Sequence, residues 1–261
     1  MAGRLPTYAP PVTEPVDSRP SLGVRAALLD RDSFLVVLAL AAMCVVLFPF
    51  TDAFRAGALI AYPASALLLL VAFHRSRVHP TMFRMAVAIL VVVGVGTVLS
   101  SIARLLNVGT DRHMIAIASY LYALLFAVAF PSIVRRAFQH RDVNSNTLAA
   151  GIAAYLIIGL FFAALDRGIA ATAGWEFFKD VGIPRPGDFM YFSFVTLTTV
   201  GYGDLAPHTD AARTAAVCEA VLGQIFLVTA VARIVSLLGV RRAEPPAVPS
   251  AHDFADADQA D

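Results

Sequence analysis

The chain has 261 residues, of which 58% are hydrophobic and only 15% are charged, and its mean hydropathy is +0.72. Soluble domains usually contain about 45–50% apolar and about 25% charged residues, so this composition excludes an ordinary water-soluble globule. A net charge of +1 excludes the broad basic field that attracts nucleic acid, and two cysteines are too few for a disulfide scaffold. The composition therefore predicts a helical integral membrane protein that resides in the lipid bilayer.

Six apolar runs are long enough to cross about 30 Å of hydrocarbon, which requires roughly 17–25 residues in a helix. In chain order they are 34–50, 56–73, 85–103, 114–134, 147–165 and 214–232, the last continuing apolar to Val240. The Pro-rich segment 1–32 and the acidic segment 241–261 predict disordered tails. We therefore expect six transmembrane helices between two flexible ends.

Arginine placement predicts the orientation of these helices. Basic residues are concentrated before the first run and after the second, fourth and sixth runs. By the positive-inside rule, those segments face the cytoplasm. Both termini are then cytoplasmic, which six crossings allow, and we expect a multi-pass protein of the plasma membrane.

The connection between the fifth and sixth runs contains a short apolar segment. Asp188 is a good N-cap, and the 12 residues that follow it read FMYFSFVTLTTV. A helix of that length is roughly 18 Å long, which is too short to span the membrane. The segment is therefore expected to enter the membrane and return to the same side. Irregular backbone at that depth is tolerated where it is buried in protein or lines a water-filled cavity.

The return begins with the hexapeptide T-V-G-Y-G-D at 199–204, preceded by T-L-T. This string resembles the selectivity filter of the potassium channel superfamily, and the likeness covers about 100 residues, from the fifth run through the sixth. It implies a potassium-selective ion channel with K+ as the permeant ion. It also implies that the protein is not an enzyme and carries no cofactor. The domains implied are a four-helix transmembrane bundle at 33–137 and a pore domain at 138–240.

Backbone carbonyls are suited to replace the water shell of K+ when consecutive residues direct them toward one axis. That arrangement needs some residues with positive φ, which Gly201 and Gly203 adopt without a Cβ penalty. By resemblance, the ion-facing carbonyls belong to Thr199, Val200, Gly201 and Tyr202. The Thr199 hydroxyl is a further candidate ligand, and Val200 and Tyr202 are expected to point away from the axis and brace the filter.

Four residues are candidates for supporting the filter, namely Gly203, Asp204, Tyr191 and Glu219. In related channels an aromatic residue bonds the acid that follows the filter, which suggests a contact between Tyr191 and Asp204. Glu219 is an ionisable residue within the sixth run and is therefore a functional candidate. It is interpreted first as a structural group behind the filter, and second as a pH sensor.

The sixth run also carries candidates for gating and for lining the pore. Gly223 lies where inner helices of this family carry a bending glycine, and the alternative is a packing glycine. Gln224, Leu227 and Val231 share one helix face by their spacing and are expected to line the cavity.

One chain supplies one filter segment, whereas a ring of carbonyls needs several, so the resemblance implies a homotetramer. The fourth run, 114–134, contains no Lys or Arg, and a helix without charge gains no energy from the membrane potential, so voltage gating is disfavoured. A weakly selective cation channel is the nearest alternative, disfavoured by Tyr202. A transporter or an intramembrane enzyme is the alternative of a different class, but neither internal repeats nor a G-x-S-x-G motif is present.

Overall fold

The computed structural model describes residues 34–48, 58–76, 80–105, 111–139 and 145–242. Its elements are the helices α1 (Leu35–Leu47), α2 (Ala58–Arg75), α3 (Pro80–Leu105), α4 (Arg112–Gln139), α5 (Ser145–Thr172), α6 (Pro186–Leu197) and α7 (Asp210–Arg242). Within these ranges the extended pairing amounts to one isolated bridge, between Phe178 and Pro207. The all-helical class predicted from the sequence is confirmed. The predicted tails fall outside the described residues, except that α7 continues to Arg242.

Four of these helices contain segments long and apolar enough to cross a membrane. The segments are Pro80–Leu99, Arg112–Arg135, Asn146–Thr172 and Asp210–Arg233. The two remaining apolar helices, Leu35–Leu47 and Ala61–Arg75, are shorter, and a 13-residue helix such as α1 extends only about 20 Å. The chain is therefore a membrane protein, and the plan of six spans remains a prediction.

Helix α5 lies at the centre of the fold, where it packs against α1, α4, α6 and α7. Its first turns present alanines whose side chains are almost entirely buried, namely Ala149, Ala150, Ala153 and Ala154. Small residues let helix backbones approach closely, which is the main source of packing energy between helices in lipid. These alanines explain why several neighbours fit around one helix.

A row of aromatic rings connects the helices α1, α2 and α4. Phe48, just after α1, contacts Tyr62 of α2 edge to face, with ring centroids 5.8 Å apart. Tyr62 stacks on Tyr122 of α4, which in turn stacks on Phe126. Arg167 of α5 donates a hydrogen bond to the Tyr62 hydroxyl. The row therefore joins the peripheral helices to α5.

The segments on either side of α6 are bound to each other. The backbone N–H of Lys179 donates to the Ala206 carbonyl at 3.0 Å, and that of His208 donates to the Phe177 carbonyl at 2.8 Å. Below this pairing lies a buried aromatic cluster formed by Phe177, Phe178, Phe189 and Phe192. The chain that enters α6 and the chain that leaves the 199–204 segment are thus held as one unit.

Candidate functional site

The start of α6 is fixed by Arg185, Pro186 and Asp188. Arg185 is the N-cap, and Pro186 occupies the first helical position, where its missing N–H is not needed. Asp188, three residues after the cap, accepts the Arg185 backbone N–H at 2.8 Å. The prediction that Asp188 is itself the N-cap is wrong, because Pro186 already has the fixed φ of a first helical turn.

At the other end of α6 the chain turns back on the helix. The Phe194 carbonyl accepts both the N–H of Thr198 at 3.0 Å and its hydroxyl at 2.6 Å. The Val195 carbonyl accepts the N–H of Val200 at 3.0 Å and that of Gly201 at 3.3 Å. The first residues of the predicted filter, 199–204, are therefore bonded directly to the carboxyl end of α6, where the helix dipole is negative.

The filter backbone alternates in handedness. Thr199, Gly201 and Gly203 have φ values of +59°, +54° and +83°, whereas Val200 and Tyr202 between them have none in the positive range. Such alternation turns successive N–H groups to one side of the chain, which leaves the carbonyls on the other. No side chain or backbone atom lies within 4 Å of a Cβ built at Gly201 or Gly203, so conformation rather than crowding requires glycine there.

The positive φ of Thr199 was not predicted from the sequence, although the residue itself was. A β-branched residue with positive φ is a genuine outlier, and such conformations cost on the order of 1–3 kcal/mol. They persist where the surrounding structure fixes them, and here the N–H of Thr199 donates to the Thr196 carbonyl at 3.0 Å. The strain is located at the first predicted ion-facing residue.

The side chains of Val200 and Tyr202 are largely exposed in the single chain. Val200 is 51% exposed and Tyr202 is 70% exposed. The Tyr202 ring lies parallel to that of Tyr191 on α6, with centroids 6.2 Å apart and planes 4° apart. The Tyr191 hydroxyl also interacts electrostatically with the carboxyl group of Asp204. Tyr191 therefore interacts with both the fourth filter residue and the acid that follows the filter.

Two layers of contacts join α5, α6 and α7 behind the filter. In the inner layer, the Tyr155 hydroxyl donates to the Leu197 carbonyl at 3.0 Å. A Cβ at Gly223 would lie 2.5 Å from Cδ1 of the same leucine and 3.3 Å from its carbonyl oxygen. Gly223 thus allows α7 to approach the end of α6, and α7 runs through this position without a break. The hinge role of Gly223 stays a prediction, and Tyr155 was not among the predicted residues.

The outer layer lies one helical turn away and contains buried polar groups. Ser193 Oγ is 2.5 Å from Glu219 Oε1 and 2.8 Å from the Gly159 carbonyl oxygen. Asp166 on α5 is completely buried and interacts electrostatically with Glu219. Neither oxygen of Asp166 nor Oε2 of Glu219 has a hydrogen-bond partner among the described residues. Glu219 therefore contacts α6 behind the filter and not the filter backbone itself.

Residues 150–239 match a family model described as "Ion channel". This part of the chain is therefore similar to the ion-channel domains of the potassium channel superfamily. The match covers about one third of the chain and contains the filter segment, both contact layers and the Tyr191–Asp204 pair. Neither the search of curated proteins nor that of solved structures found a match.

The ion-channel domain leaves one side of its last helix uncovered. Gln224, Leu227 and Val231 are all exposed in the single chain. Leu227 and Val231, with 43% and 52% of their surface exposed, are apolar. The three residues predicted to share one face of α7 are thus all exposed in the single chain. Gly223, the residue before Gln224, is instead buried against Leu197.

The sequence missed two groups of the ion-channel domain that the fold brings to Glu219. Asp166 directly follows the fifth run, 147–165, and lies inside the apolar helical segment Asn146–Thr172, where an ionisable residue is a signal in itself. Ser193 gives no such signal, because a serine in an apolar helix is common and commonly bonds its own helix. In the structure it instead bonds two other helices.

Proposed function

We propose that this ion channel is selective for potassium and that the carbonyls of Thr199, Val200, Gly201 and Tyr202 hold the permeating ion. The observation that carries the proposal is the alternation of positive φ at 199, 201 and 203 within a T-V-G-Y-G-D sequence. K+ enters such a site when backbone oxygens replace its hydration shell at similar field strength. The Thr199 hydroxyl supplies a further oxygen at the inner end.

The proposed pore is a homotetramer in the lipid bilayer. A single chain contributes one strand of carbonyls, and a closed ring of oxygens requires several copies around an axis. The exposed side chains of Val200 and Tyr202, together with the uncovered face of α7, supply apolar surface for contacts between copies. In this arrangement Gln224, Leu227 and Val231 line the cavity below the filter.

The remaining parts of the chain take supporting roles in this proposal. Residues 33–137 form a peripheral bundle, residues 138–240 form the pore domain, and both termini lie in the cytoplasm beneath the plasma membrane. The peripheral bundle is not a voltage sensor of the usual kind, because residues 114–134 contain no basic residue for the field to move.

The alternatives differ in what they ask of the filter. A weakly selective cation channel would use the same pore, but Tyr202 and its stacking on Tyr191 favour a braced, selective filter. A transporter or an intramembrane enzyme is disfavoured by the ion-channel family match across residues 150–239.

The deciding experiment measures ion flux into liposomes that contain the purified full-length protein. We expect rapid uptake of K+ down its gradient and much slower uptake of Na+ under matched conditions. Equal uptake of the two ions would contradict the selectivity, and uptake of neither by correctly folded protein would contradict conduction by this chain alone. Protein-free liposomes and protein with Gly201 replaced by alanine serve as controls.

A further inference from the structure

The hydroxyl of Ser193 has two oxygen neighbours and one hydrogen. The Gly159 carbonyl at 2.8 Å has no proton and can only accept. Glu219 Oε1 at 2.5 Å accepts if the carboxyl group is ionised and donates if it is protonated. One hydrogen cannot occupy both contacts. Both are hydrogen bonds only if the Ser193 hydroxyl donates to the Gly159 carbonyl and accepts a hydrogen bond from the protonated carboxyl group of Glu219.

The contact between Ser193 and the Gly159 carbonyl depends on the absence of a side chain at position 159. A Cβ at position 159 would lie 2.6 Å from the Phe194 ring, so only glycine lets α6 come this close to α5. That approach brings Ser193, the neighbour of Phe194, to the carbonyl of Gly159. The packing of α5 against α6 therefore fixes the hydrogen bond from Ser193 to the Gly159 carbonyl. The hydrogen in the contact between Ser193 and Glu219 then has to belong to Glu219.

The charges around Glu219 favour the same protonation state. The titratable groups that face it are Asp166 and Tyr155, both on α5, and no basic side chain among the described residues pairs with its carboxyl. Glu219 is fully buried, and Oε2 has no partner in this part of the chain. An ionised carboxylate in such a place, beside a second carboxyl group, is strongly disfavoured.

We infer that Glu219 is protonated in the folded channel and donates a hydrogen bond to the Ser193 hydroxyl, so that it acts as a positioning residue that binds α7 to α6. Glu219 precedes Gly223 by four residues, and Ser193 precedes Leu197 by four. The Glu219–Ser193 bond therefore lies one turn from the contact of Gly223 with Leu197, the residue that ends α6. Breaking the bond removes the polar contact between α6 and α7, and the predicted filter begins directly after α6.

The protonation state is tested by infrared spectroscopy of the full-length protein in lipid at slightly alkaline pH, where exposed carboxyl groups are ionised. We expect the C=O stretching band of a protonated carboxylic acid in the native protein. The component from Glu219 should be lost in E219Q and should persist in D166N, the matched control for the neighbouring acid. A band that E219Q leaves unchanged, or that D166N removes entirely, would overturn the inference. This measurement does not depend on conduction.

The consequence for the filter rests on the proposed function and is tested by K+ flux. E219Q keeps a neutral donor for Ser193, whereas E219A removes it, so we expect E219Q to conduct about tenfold more than E219A, as the loss of one hydrogen bond between buried groups suggests. S193A should resemble E219A. Equal flux from E219Q and E219A would overturn the positioning role. An absence of flux in the native protein would instead count against the proposed function, and the infrared result would stand apart from it.

Discussion

The ring of Tyr202 lies parallel to the ring of Tyr191, with planes 4° apart and centroids 6.2 Å apart. The two residues belong to different structural elements, since Tyr202 is in the filter segment and Tyr191 is in α6. Because Tyr191 also interacts electrostatically with Asp204, one side chain interacts with the chain on both sides of Gly203. The outer end of the filter is thus braced by a helix of its own chain.

The Tyr191 brace predicts a graded loss of selectivity. Y191F keeps the stacked ring and loses only the interaction of the hydroxyl with Asp204, and Y191A loses both interactions, each worth about 0.5–1.5 kcal/mol. We expect the ratio of K+ to Na+ flux to fall moderately in Y191F and further in Y191A. Y120F is the matched control, since the Tyr120 hydroxyl bonds Thr172 away from the filter. A larger effect of Y120F than of Y191F would contradict the brace.

Alanine at Gly201 tests the conformational requirement of the filter. Its φ of +54° costs an L-residue about 1–2 kcal/mol, although the site has space for a methyl group. We therefore expect G201A to fold and to lose K+ conduction. Gly182, in the loop before α6, is exposed, has no positive φ and has equal space, so G182A should conduct normally. Selective K+ flux through G201A would argue against the carbonyl mechanism.

Two glycines of α5 should respond to alanine with opposite signs. At Gly159 the new Cβ collides with the Phe194 ring at 2.6 Å, and overpacking of this kind costs about 1–3 kcal/mol. At Gly151 nothing lies within 4 Å, and alanine in a helix is favoured over glycine by roughly 0.5–1 kcal/mol. Thermal unfolding in detergent should show a lower midpoint for G159A and a slightly higher one for G151A. A loss of stability in G151A equal to that in G159A would contradict the close approach of α5 and α6.

The packing and hinge roles of Gly223 are separated by a double-mutant cycle with Leu197. G223A places a Cβ 2.5 Å from Leu197 Cδ1, and this collision disappears when Leu197 is shortened. If packing dominates, the destabilisation by G223A is smaller in an L197A background, with a coupling of about 0.5–3 kcal/mol in unfolding experiments. A hinge instead predicts that G223A impairs conduction equally in both backgrounds. Additive stability effects would remove the packing role.

Local sequence patterns predicted much of this architecture, and contacts between helices account for what they missed. The short apolar segment could be assigned to a re-entrant helix because its length does not match the membrane. Glycine at 201 and 203 indicates a backbone with positive φ, but the positive φ of Thr199 is imposed by its surroundings. The meeting of Asp166, Ser193 and Glu219 depends on the register of three helices, which hydropathy does not specify. Asp188 was assigned as N-cap because its residue type outweighed the fixed φ of Pro186.

The close packing of α4 along α5 has a consequence for assemblies of more than one copy. Five residues, 140–144, separate the two helices in sequence, and a fully extended chain of that length reaches at most about 18 Å. In the proposed tetramer we therefore expect α4 to stay beside α5 of its own polypeptide and not to be exchanged with a neighbour. Each copy then supplies one complete quarter of the proposed tetramer. In a tetramer that contains both native and mutant chains, a mutation in α1 to α4 first affects the pore segment of its own chain.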